Sequence, residues 1–113
     1  MPTYAQLTHD LLKDTATFFR TLAEQNEAVR AEMTDNANIY ERMADTIAAE
    51  PRGIAPTGYK YCDLAAKLLR DTSEFYRKLA EQNEPVREQM IHNANIYDQI
   101  AEAVVKNPTE NLD

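Results

Sequence analysis

Apolar residues recur along this chain at three- and four-residue steps. Tyr4, Leu7, Leu11, Phe18 and Leu22 form one series, widened on one side by Leu12, Phe19 and Ala23. At about 100° per residue these positions share one helical face. Leu64, Leu68, Phe75 and Leu79 repeat the series further on. A second type of stripe runs Val29, Met33, Ala37, Tyr40, Ala44, Ile47, and is matched by Val86, Met90, Ala94, Tyr97, Ala101, Val104. The strict alternation of a half-buried strand appears nowhere. The pattern predicts an all-α protein with four helices of about 20 residues, each roughly 30 Å long at 1.5 Å per residue.

The stripes match in pairs because the chain is internally duplicated. Tyr4 to Pro51 aligns with Tyr61 to Pro108 without a gap, Leu11 falling on Leu68 at an offset of 57, and roughly half the paired positions are identical. The strongest blocks are L-A-E-Q-N-E, Leu22–Glu27 on Leu79–Glu84, and N-A-N-I-Y, Asn36–Tyr40 on Asn93–Tyr97. An internal repeat fixes the structural unit before any fold is chosen. Two copies are too few for a solenoid and suit a duplicated helical hairpin. Both glycines of the chain and two of its five prolines fall between Pro51 and Gly58, and these residue types mark a connection. The expected organisation is a single domain over 1–113. It comprises a hairpin over 3–51, a linker over 52–58, a second hairpin over 59–108 and a tail over 109–113, with Pro2 and Pro108 at the outer ends.

Whether each repeat bends depends on the stretch between Leu22 and Val29. No glycine marks a turn, so one bent continuous helix is the alternative. Pro85 favours a break. An interior proline removes a backbone hydrogen bond and costs about 3 kcal/mol, whereas in the first turn of a new helix, after Asn83 or Glu84 as cap, it is well placed. Asparagine also tolerates the left-handed conformation that ends helices. In the first copy Ala28 replaces the proline, leaving the turn to Gln25-Asn26. Thr3 with Gln6 resembles a capping box opening the first helix. Short connections favour antiparallel neighbours, so the fold expected is an antiparallel four-helix bundle built from a duplicated helical hairpin. A homodimer is the alternative way of closing the bundle.

Composition narrows the chemistry. Twelve Lys and Arg stand against nineteen Asp and Glu, a net charge of −7. That argues against unaided binding to nucleic acid or to an anionic membrane. No apolar run approaches the roughly 18–20 residues of a membrane span, and the N-terminus lacks a basic stretch followed by an apolar core, so a cytoplasmic location is expected. The single cysteine, Cys62, rules out an intramolecular disulfide. Diiron bundles need an E-x-x-H motif, but the residues three before His9 and His92 are Gln6 and Gln89. Glu88 and His92 stand four apart, yet their counterparts are Ala31 and Asp35, so a solvated pair is expected rather than zinc. His9 and His92 are non-equivalent and make poor axial haem ligands. Cys62, replaced by Ala5 in the first copy, reads as a small buried thiol. Ser73 is the only serine, with no histidine near it in the helical map. No catalytic residue, metal or cofactor is assigned, and enzymatic activity is not expected.

Two constellations remain. The E-Q-N-E turns would place Glu24, Glu27, Arg30, Glu81, Glu84 and Arg87 together at one end of the bundle, a charged surface for a protein partner. Helix-dipole and Glu–Arg effects would explain the same residues structurally. In N-A-N-I-Y, Asn36 and Asn93 fall on the apolar stripe, where a buried amide must find partners. Thr15, Thr72, Tyr40 and Tyr97 could supply them, giving a polar layer that fixes register or lines a small-ligand pocket. Ile39 and Ile96 flank the stripe, and a second apolar face there would be a docking surface. The sequence therefore points to a small non-enzymatic interaction module binding a protein partner through a helix face or the E-Q-N-E end. A small-molecule or metal carrier using the polar layer is the alternative. An acidic mimic of nucleic acid finds little support, since no continuous acidic stripe is evident.

Overall fold

In the computed structural model, which describes residues 3–110, the chain enters its first helix through Thr3. The Thr3 hydroxyl accepts from the Gln6 amide at 3.1 Å, and the Gln6 side chain accepts from the Thr3 amide at 2.9 Å. This is the expected capping box. Pro2 and residues 111–113 of the tail lie outside the described residues. Four helices follow: α1 (Tyr4–Gln25), α2 (Arg30–Ala49), α3 (Tyr61–Gln82) and α4 (Arg87–Lys106). Among the described residues strand character is confined to isolated bridge positions, Thr3 and the pair Ile54 and Lys60.

Each repeat is a hairpin. Its turn is one residue of extended backbone, Asn26 (φ −143°, ψ 96°) or Asn83 (φ −136°, ψ 85°), followed by a single 3-10 turn, Glu27–Val29 or Glu84–Val86. The asparagines therefore end the helices without the left-handed conformation expected of them; no residue other than glycine has positive φ among those described. The extended residue reverses the chain and lets its own carbonyl accept from the amide three residues on, Val29 at 3.2 Å and Val86 at 3.1 Å. Pro85 sits in the first turn of the 3-10 segment, where its missing N–H has no bond to lose. Ala28 adopts the same path, so the proline reinforces a turn that forms without it.

Within each hairpin the helices pack closely. Ala16, Ala37 and Ala44 in the first, and Ala94 and Ala101 in the second, are fully buried. The hairpins then meet α1 on α4, α2 on α3, and α1 on α3 across the diagonal, while α2 and α4 do not touch. The result is a four-helix bundle of two hairpins.

The 57-residue offset becomes a pseudo-two-fold axis in space. The Phe18 ring meets Phe75, its own counterpart, edge-on at 5.8 Å. Around that pair, Phe19 lies 6.0 Å from Phe75 and Phe18 lies 6.2 Å from Tyr76, the same contact made twice. Phe19–Tyr40 at 5.2 Å and Tyr76–Tyr97 at 5.5 Å complete the six-ring layer. Edge-to-face pairs at such separations stabilise by about 0.5–1.5 kcal/mol beyond the area they bury.

The far end of the bundle is tied by the same symmetry. Beyond α2 the Gly53 carbonyl accepts from the first amide of α3, Tyr61, at 3.0 Å. Beyond α4 the Glu110 carbonyl accepts from the first amide of α1, Tyr4, at 3.0 Å. Each hairpin's exit thus satisfies a donor that the other's opening turn leaves free. A Cβ at Gly53 would stand 2.8 Å from the Tyr61 ring, so a larger residue there would have to displace that ring. The linker turns back at Gly58, whose φ of 95° favours glycine.

The core makes two opposite predictions. Leu12 and Leu69 are equivalent and fully buried, so alanine at either should lower stability by about 2–5 kcal/mol in urea unfolding. Thr8 is also fully buried, but its hydroxyl has no hydrogen-bond partner and its counterpart is Ala65. Thr8→Val should therefore raise stability by about 1 kcal/mol. A comparable loss would mean that the hydroxyl is bonded in solution.

Candidate functional site

The six residues of the E-Q-N-E constellation all lie exposed at the hairpin turns. Arg30 and Arg87 have a structural task there. The Arg30 Nε donates to the Ala23 carbonyl at 3.0 Å, and the Arg87 Nε to the Ala80 carbonyl at 3.2 Å. Both carbonyls belong to the last turn of a helix, where no intrahelical donor reaches them. The arginines so supply the cap that a left-handed residue would otherwise give. A turn earlier, Arg20 forks onto Glu41 (3.2 and 2.6 Å) and reaches Asn38 at 2.9 Å. Arg77 makes a single bond to Asp98 at 2.8 Å and reaches Asn95 at 3.0 Å. The hydrogen bond from Arg20 holds the Glu41 carboxyl below the usual carboxylate range. These bonds account for Asn38 and Asn95 in the repeated N-A-N-I-Y block.

The glutamates are not consumed in this way. Glu84 stands 3.5 Å from Arg87 in an exposed pair, a kind worth about 0–1 kcal/mol. Glu27 and Glu84 open the 3-10 turns, where negative charge suits the backbone dipole. Glu24 and Glu81 occupy the last turns of α1 and α3, where a negative charge opposes the dipole by about 0.3–1 kcal/mol. Beside each lies a concave site. Arg20, Ala23, Glu24, Arg30 and Thr34 line about 210 Å³; Arg77, Ala80, Glu81, Arg87 and Ile91 line about 460 Å³. Every position corresponds at the 57-residue offset, with Ile91 in place of Thr34 and about twice the volume in the second copy.

The two sites lie on different hairpins. Each 3-10 turn contacts only its own hairpin. The shared core thins out beyond the aromatic layer, and residues 24–28 and 81–89 are all exposed.

The polar layer forms, with a different membership from that expected. The Thr15 hydroxyl lies 3.0 Å from the Tyr97 hydroxyl, and both reach the Leu11 carbonyl, at 3.0 and 3.2 Å. Its symmetry mate joins Thr72, Tyr40 and the Leu68 carbonyl at 3.0–3.1 Å. Each cluster takes its tyrosine from one hairpin and its threonine from the other. Asn36 and Asn93 stand outside it, half-buried, one turn nearer the tips where the bundle has opened. There water can solvate an amide, so the demand for a buried partner does not arise. Asn93 instead lines a cleft of about 230 Å³ between α1 and α4 with Leu11, Asp14 and Ile96.

Cys62 is buried, and burial pushes its thiol above the usual range, away from the reactive thiolate. Glu88 and His92 are both exposed on α4. Among the described residues no three His, Cys, Asp or Glu side chains converge as a metal ion would require. No helix there is long and apolar enough to cross a membrane. A groove of about 320 Å³ between α2 and α3 has Ile39 and Met43 in its wall, at the flank of the α2 stripe where the sequence suggested a second apolar face. No protein-family model matches the sequence, and neither the curated proteins nor the solved structures contain a match to it.

The caps and the layer are separately testable. Arg30→Met and Arg87→Met should each lower unfolding stability by about 1 kcal/mol, since each strands a helix-end carbonyl; unchanged melts would show the caps to be idle. Burial raises the Tyr40, Tyr76 and Tyr97 phenols above their ordinary value. A raised folded value favours the neutral phenol, so this contribution is complete below about pH 10 and is lost as pH climbs from there through the raised values. Unfolding free energy should fall above about pH 10, and Tyr97→Phe should flatten that fall; an unaltered slope would contradict the assignment.

Proposed function

We propose that this protein is a small non-enzymatic interaction module that engages a protein partner through its two hairpin tips, in the cytoplasm. One observation carries the reading: a corresponding concave site, with an exposed glutamate between two arginines, occurs at both tips. The paired arginines are explained by capping and ion pairing, and Asn38 and Asn95 by their bonds to Arg20 and Arg77. Glu24 and Glu81 oppose the helix dipole, and among the described residues neither carboxylate is held in an ion pair or side-chain hydrogen bond. Retention of an unhelpful charge in both copies fits a role outside the fold. With two equivalent tips, a partner that is itself two-fold symmetric, or that repeats its binding segment, would gain from simultaneous engagement.

The carrier reading has weaker support. The Thr and Tyr hydroxyls of the core layer bond to each other and to helix carbonyls, and so leave little polar capacity to face a ligand.

Reversal of charge at both tips (Glu24→Lys and Glu27→Lys with Glu81→Lys and Glu84→Lys) should abolish recovery of the partner from a native-host pull-down while leaving helicity unchanged. Reversal at one tip should weaken a bivalent partner by about 10²-fold or more. Recovery undiminished in the fully reversed variant would dismiss the tips as the binding surface.

A further inference from the structure

The groove between α2 and α3 lies along a helix seam whose counterpart at the 57-residue offset is the seam between α1 and α4. Its floor is apolar: Ile39 and Met43 on α2, Leu64 and Leu68 on α3. Ile39 is 51% exposed, one of the more exposed large apolar side chains among the described residues. At the offset of 57 these four become Ile96, Ile100, Leu7 and Leu11 between α1 and α4, apolar again. The rims differ. Arg42 and Lys67 flank the α2/α3 groove, whereas Gln99 and Asp10 occupy the equivalent positions of the other seam. Thr46, which also lines the groove, is replaced there by Ala103.

Both rim cations are available. Arg42 is exposed and takes part in none of the ion pairs of the described surface. Lys67 is held only by Asp71 at 3.2 Å, an exposed pair one helical turn away. Such a pair is worth about 0–1 kcal/mol, so an incoming anion can displace it. Duplication has thus given one of two equivalent apolar seams a pair of cations, on a chain whose net charge is −7.

Size decides the class of occupant. From Ile39 to Thr46 the floor extends about 10 Å at 1.5 Å per residue. Its volume of about 320 Å³ lies at the lower end of the range for small-molecule sites. A protein partner needs roughly 800 Å² on each side, more than this short trough offers. An apolar chain with one acidic head matches both the floor and the rim. We propose that the α2/α3 groove binds a free medium-chain fatty carboxylate, its tail along Ile39, Met43, Leu64 and Leu68 and its carboxylate between Arg42 and Lys67. This site is separate from the hairpin tips and stands or falls independently of them.

The test is a titration of the full chain with decanoate, followed by methyl NMR. Shifts should appear at Ile39, Met43, Leu64 and Leu68, with a dissociation constant on the order of 0.1 mM. The equivalent methyls of Leu7, Leu11, Ile96 and Ile100 should stay in place, giving an internal control within one spectrum. Arg42→Glu, at an exposed position, should weaken binding about tenfold or more. Decyltrimethylammonium, with the same tail and the opposite charge, should bind at least tenfold more weakly than decanoate. The proposal is overturned by an absence of shifts up to millimolar decanoate, by equal shifts at both seams, or by equal binding of the two amphiphiles.

Discussion

Each buried tyrosine hydroxyl of this bundle finds its partners in the opposite hairpin, and the two hairpins are held in register by that exchange. Tyr97 reaches Thr15 and the Leu11 carbonyl; Tyr40 reaches Thr72 and the Leu68 carbonyl. A buried hydroxyl left without a partner costs about 1–3 kcal/mol. Sliding one hairpin along the other would strand both tyrosines at once. Apolar packing alone tolerates such slippage, since one leucine stripe resembles another a turn away. The polar clusters select one arrangement, and the Phe18–Phe75 contact is centred on it.

Self-complementarity of this kind resembles a symmetric dimer interface, in which a residue of one subunit meets a different residue of the other and the reverse contact follows. Here a linker joins the two halves, and the capping of Tyr4 by Glu110 and of Tyr61 by Gly53 carries the reciprocity to the chain ends. Once joined, equivalent positions are free to diverge. Thr8 against Ala65 and Arg42 against Gln99 are places where they have done so, and the second of these changes the chemistry of a surface groove.

The helices, their pairing and their caps could be read from the sequence because periodicity, proline and the Thr3–Gln6 box are local signals. Pro85 marked the turn correctly, though the asparagine before it adopts extended rather than left-handed angles. Longer-range features were harder to read. A stripe shows that Thr15 and Tyr97 face inward, but not that they meet each other across hairpins. Asn36 and Asn93 share that stripe, yet they lie past the end of the common core, which periodicity does not reveal. The aromatic layer sets where the hairpins stop touching, and its depth along the bundle depends on packing between residues 57 apart.

The most direct measurement is a pair of double-mutant cycles on unfolding free energy. Thr15→Val combined with Tyr97→Phe should show a coupling of about 1 kcal/mol, as should Thr72→Val with Tyr40→Phe. The within-hairpin pair, Thr15→Val with Tyr40→Phe, should be additive to within about 0.3–0.5 kcal/mol. Coupling within hairpins in place of coupling between them, or additivity throughout, would contradict the exchange on which the bundle's register rests.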